Sequence, residues 1–234
     1  MNPSIWIYGG VHDDPGSRQR FLDDLDRQKT APHFVAAEWE QSVFERLVAW
    51  RPWVEEQLGS RWDFLTRQDC HELSLALAWE GDAYKECFPD IDRLWLEAGF
   101  QEADIKRRRG ADADNYPKGC AWGLLQRLSN PCQPTMSEGI SNTDPPPEPR
   151  SKKELIDRVW RTAWSEAWRV PGNLERDARW ATEISKRCLG LHDGWVAVVV
   201  GWAHADPADE NQHQRLRSLL SSKGLDVIPV RLGP

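Results

Sequence analysis

Trp195-Val196-Ala197-Val198-Val199-Val200 is an unbroken apolar run, rich in β-branched side chains and stopped by Gly201. A run this short with no polar face reads as a strand covered on both sides. Such strands belong to parallel sheets with helices above and below, which points to an α/β fold. Only one more strand candidate follows it, Val227-Ile228-Pro229-Val230, and Pro229 marks that one as an edge. The other strands must come from the far end of the chain. Ile5-Trp6-Ile7-Tyr8, ending in Gly9-Gly10, and Phe34-Val35-Ala36-Ala37, ending at Glu38, supply them. The expected product is a mixed, largely parallel sheet assembled from the N- and C-terminal segments.

Between these ends the periodicity turns helical. Ser17 reads as the cap of a helix bearing Phe21, Leu22 and Leu25, which makes the first two strands a βαβ unit. Residues 41–128 read as a helical insertion. Ser42–Trp50 and Trp53–Leu58 are two helices parted by Pro52, which a helix interior excludes. Cys70–Trp79, Phe100–Arg109 and Gly119–Leu128 are further helical stretches, while Arg93-Leu94-Trp95-Leu96 fits strand or helix. Residues 130–150, with Pro145-Pro146-Pro147, read as a linker or long loop. Helices resume at Lys152–Arg169, with Trp160, Trp164 and Trp168 on one face, and then at Leu174–Cys188 and Gln212–Ser222. The 234 residues read as one α/β domain carrying this insertion.

Composition narrows the function. Thirty Lys and Arg against 37 Asp and Glu give a net charge of −7, which disfavours a nucleic-acid backbone binder. The mean hydropathy is −0.66 and no apolar run is long enough to span a bilayer, so no membrane partner is expected. The N-terminus lacks a basic signal region, and the five Cys contain no C-x-x-C pair, so a reducing cytoplasm is expected.

The chemistry gathers at strand ends. Gly9-Gly10-Val11-His12 and Gly201-Trp202-Ala203-His204 are both G-x-x-H, each directly after an apolar strand. Ligands of open α/β sheets bind outside the carboxyl ends of the strands, so both imidazoles would face one crevice. Glu38 closes a third strand at the same edge. Two imidazoles and a carboxylate suit a divalent metal, and they also suit metal-free activation of water. Arg176, opening the helix before the second G-x-x-H, would hold a substrate carboxylate or an oxyanion. Asp13, Asp14 and Asp206 flank the histidines. Together with Glu80, Asp82 and Asp177, they are candidates for holding substrate or orienting the rings.

The ordered set Gly9-x-x-His12, Glu38, Glu175-Arg176-Asp177 and Gly201-x-x-His204 resembles the TraB/Tiki superfamily, which includes erythromycin esterases and ChaN-like haem-binding proteins. The stretch Glu175-Arg176-Asp177-Ala178-Arg179-Trp180-Ala181 is similar to the R-[ND]-x-x-[MW]-A segment before the second histidine of that group. The resemblance covers residues 4–40 and 173–231. It implies a hydrolytic site in which His12 and His204 are the imidazoles, Glu38 the carboxylate and Arg176 the cation. If a metal is used, zinc or manganese would sit on His12, Glu38 and His204.

Two functions follow. One is a cytoplasmic hydrolase of ester or amide bonds, acting on a small molecule or peptide, with or without a metal. The other is a ChaN-like protein that binds haem or another small ligand. A Trp-rich interaction surface, from 14 Trp, is a third role.

Overall fold

A computed structural model of the chain describes residues 2–10, 16–58, 79–99, 173–205 and 215–232. The helices expected over 100–109, 119–128 and 152–169, all but the end of the one over 70–79, and the linker at 130–150 lie outside the described residues.

Among the described residues five parallel strands form one sheet: β1 (Ser4–Gly10), β2 (Val35–Ala37), β3 (Arg93–Trp95), β4 (Trp195–Gly201) and β5 (Asp226–Arg231), in the order β3-β2-β4-β1-β5. The α/β class and the pairing of the two chain ends are as expected, and β5 is an edge. The parallel alignment also holds for β1 and β2, but they do not pair with each other. β4 lies between them, with Ser4 to Gly10 aligned on Trp195 to Gly201 and Val35 to Ala37 on Ala197 to Val199. The βαβ unit is therefore split by the most apolar strand in the chain, which gains a neighbour on each side. Arg93–Trp95, undecided from sequence, is a strand, so residues 41–128 are not helical throughout.

The helices among the described residues are α1 (Ser17–Arg27), α2 (Gln41–Leu58), α3 (Trp79–Asp82), α4 (Asn173–Cys188), α5 (Trp202–Ala205) and α6 (Leu216–Ser222). Helix α2 runs through Pro52 instead of breaking there. A proline removes one helical hydrogen bond and crowds one carbonyl, which bends a helix without always ending it. Ser17 is the first helical residue and not a cap; its hydroxyl donates to the Leu232 carbonyl at 3.4 Å.

Strand alternation sorts the core into two layers. Ile5, Ile7, Ala36, Val196, Val198 and Val200 face Trp180 and Ile184 of α4 and Leu216 and Leu220 of α6. Tyr8, Val35, Ala197 and Val199 face Phe21, Leu22 and Leu25 of α1, together with Ala83 and Tyr84. Helix α4 ends through Gly190, whose φ of +84° suits glycine, and the chain then turns back into β4. Because α4 runs against the strands, its first turns lie over their carboxyl edge.

Candidate functional site

Glu38 follows β2 and stays in the ladder, its N–H donating to the Val199 carbonyl at 3.1 Å. Its side chain reaches across to β4, where Oε2 accepts the Gly201 N–H at 2.7 Å. Its other oxygen, Oε1, accepts from Arg176 at 2.6 Å. The Arg176 Nε donates to Glu97 Oε1 at 3.0 Å, so one guanidinium joins the ends of β2 and β3. Burial pulls the Arg176 pKa down, but Glu38 and Glu97 outweigh it and raise it overall. The guanidinium stays charged throughout the working pH range.

His204 stands on α5, immediately after β4, and is buried. Its Nδ1 is hydrogen-bonded to Oδ1 of Asp177, which is fully buried. An ionised carboxylate can only accept, so a proton on Nδ1 is what satisfies this bond. The second oxygen of Asp177 lies 3.6 Å from Nε of Arg215, which is 1 % exposed. The Trp180 ring packs on the imidazole with centroids 4.8 Å apart. The Arg176 guanidinium lies over the same indole, 4.7 Å from its centroid. The three arginines Arg176, Arg179 and Arg215 thus share a neighbourhood with the three carboxylates Glu38, Glu97 and Asp177.

Four of the expected residues, Glu38, Arg176, Asp177 and His204, therefore meet at one edge. The carboxylate on His204 is Asp177, while Glu38 holds Arg176 and the end of β4. His12, Asp13, Asp14 and Asp206 lie outside the described residues. Strand β1, which leads to His12, ends level with β4, Gly10 being aligned on Gly201. Glu80 is in α3, with its side chain outside the described set. Asp82 is not part of this network. Its carboxylate takes a fork from Arg51 at 3.0 and 3.1 Å, next to the Ala83 and Tyr84 pair on the α1 side of the sheet.

Sequence reasoning missed Glu97, Arg179, Trp180 and Arg215 as site residues. Glu97 was detectable by the rule that selected Glu38, an acid just after an apolar strand, once Arg93–Trp95 is recognised as a strand. Asp177 carried a second signal: it shares the buried stripe of α4 with Trp180, Ala181, Ile184 and Cys188. A charge on an apolar stripe needs a partner inside.

The glycine of the first G-x-x-H has an unexpected role. Gly9-Gly10 was expected to end the first strand, but Gly9 is an inner residue of β1, aligned with Val200 on one side and Arg231 on the other. A Cβ there would overlap the Trp202 ring and lie 2.8 Å from the Ala205 Cβ and 3.0 Å from the Trp202 Cα. Gly9 is bare so that α5, which carries His204, can lie against the sheet.

Both Glu38 oxygens are engaged, one by the Gly201 N–H and one by Arg176, and His12, the other imidazole of the expected metal set, lies outside the described residues. Among the described residues no group of three His, Cys, Asp or Glu is arranged to hold an ion. Nor is any described helix long and apolar enough to cross a membrane. The chain matches no protein-family model, no curated protein and no solved structure.

Proposed function

We propose that this chain is a cytoplasmic hydrolase of ester or amide bonds, of TraB/Tiki or erythromycin-esterase type, with a small molecule or peptide as substrate. The observation that carries the reading is the buried His204–Asp177 pair at the carboxyl edge of a parallel sheet, beside the end of the strand that leads to His12. Asp177 holds the ring in the tautomer whose Nε2 is basic. The Nε2 takes a proton from water as the water oxygen bonds to the substrate carbonyl carbon. The imidazolium returns that proton to the departing alkoxide or amine when the tetrahedral intermediate collapses. Arg176 supplies the fixed positive charge for the oxyanion. The acidic composition supports a role without nucleic acid.

The test is hydrolysis of p-nitrophenyl esters and chromogenic peptide anilides by the purified chain. His204→Ala is expected to lower the rate by about 10²–10⁴-fold, the usual share of a general base, and His12→Ala to lower it as the second imidazole of the expected site. Asp177→Asn should act in the same direction. Wild-type rates in the His204→Ala protein would refute the assignment. Elemental analysis of the same preparation counts zinc or manganese per chain, with loss of the metal in the His12→Ala and His204→Ala proteins expected if it sits on His12, Glu38 and His204, and a Soret band would mark the haem-binding alternative.

A further inference from the structure

Glu97 lies just beyond the end of β3 and its side chain is 2 % exposed. One of its oxygens, Oε1, meets three groups from one helix: Arg176 Nε at 3.0 Å, Arg179 at 3.2 Å and Trp180 Nε1 at 2.9 Å. Positions 176, 179 and 180 are spaced i, i+3 and i+4, so they form one stripe of α4. Two hydrogen bonds and an ion pair converging on one fixed oxygen set the rotation of the helix about its own axis. That rotation decides what the neighbouring positions do. Asp177 faces His204 and Arg215, and the Trp180 indole, anchored through its N–H, packs on the imidazole. Glu97 touches neither His204 nor Asp177 in this network, yet the geometry of both passes through it.

We propose that Glu97 is the positioning residue of the carboxyl-edge site, fixing the turn of α4 that presents Asp177 and Trp180 to His204. The kinetic half of this proposal rests on the hydrolase reading; the structural half does not. A surface ion pair contributes little, but a buried carboxylate that takes two hydrogen bonds and a further ion pair imposes both geometry and charge balance. Two substitutions separate those contributions. Glu97→Gln keeps the length and removes the charge. Glu97→Asp keeps the charge and withdraws the oxygen by one methylene.

The experiment uses the full chain, labelled for NMR, with the His204 imidazole and Trp180 indole resonances assigned by single substitutions. If Glu97 positions, Glu97→Asp should displace the His204 ring resonances as well as the Trp180 N–H, and lower kcat on a p-nitrophenyl ester by on the order of 10- to 100-fold, as small misplacements do. KM should change little. If Glu97 only balances charge, Glu97→Asp leaves the His204 resonances and kcat at wild-type values, and the proposal is overturned. Because Glu97→Asp keeps the buried charge paired, it remains decisive even where Glu97→Gln fails to fold. Asp92→Asn, at an exposed pair with Arg187, is the control that should move nothing. Failure of the hydrolase reading has a different signature: His204→Ala would retain its rate while the Glu97 variants still shift the imidazole.

Discussion

Glycine 9 illustrates how one atom can decide a site. Its hydrogen stands where any side chain would push α5, and with it His204, away from β1. Gly9→Ala should therefore destabilise the protein by about 1–3 kcal/mol, the range for overpacking a filled core. A urea melt reads this, and an unchanged midpoint would mean that α5 is not pressed on the strand. Cys188 gives a pH-dependent counterpart. Burial pushes its thiol from 9.0 up to about 11. Below pH 9 both the folded and unfolded chains keep this proton, so the thiol adds no slope. Above it the unfolded chain loses the proton first, and stability falls as pH rises toward 11, by up to ~1.4 kcal/mol per pH unit. Tyr8, raised by burial and by Asp24, adds to the same fall at the upper end. Cys188→Ala should flatten the stability curve between pH 9 and 10 in urea melts run across that range. An identical slope in both proteins would show that the thiol does not contribute.

Elements were legible where one period dominated. The β-branched run of β4, the apolar stripe of α4 and its Gly190 stop, and the edge status of β5 all follow from local pattern. The misses have a shared cause, which is that packing outweighed a local signal. Pro52 marks a break by its own chemistry, yet α2 continues past it. Arg93–Trp95 is too short to show a period, and its strand identity comes from pairing with Val35–Ala37. That ambiguity hid Glu97, since a strand-end carboxylate cannot be recognised before the strand is. Arg215 was hidden differently: read as an interior residue of the last helix, it instead precedes α6 at the cap position. Because Pro52 is exposed and inside α2, Pro52→Ala should raise stability, by up to about 3 kcal/mol if the full helix-interior penalty is relieved. A lower melting midpoint for that variant would mean that the proline is required by the packing around it.

At the scale of the whole molecule, the sheet order β3-β2-β4-β1-β5 makes the two chain ends interdependent. Among the described residues, strand β1 pairs with β4 and β5, and β2 pairs with β4 and β3. The N-terminal strands therefore have no ladder with each other: the hydrogen bonds of β1 wait for residues beyond 194, while β2 has those to β3 before then. This also explains why the co-assembly was legible while the order was not. The apolar runs announce how many strands need cover, but nothing local states which lies between which. Pairings between residues so distant in sequence carry a large closure cost and slow folding. The consequence is testable by cutting the chain between residues 130 and 150, the segment read from sequence as a linker. Residues 1–130 expressed alone should lack a cooperative urea transition, because β1 would have no partner and β2 only β3. Co-expressed with residues 150–234, the same fragment should be recovered as a one-to-one complex with a cooperative transition, since β4 would enter between β1 and β2. A fragment of residues 1–130 that folds cooperatively by itself would contradict the strand order, and with it the shared edge on which Glu38, Arg176, Asp177 and His204 meet.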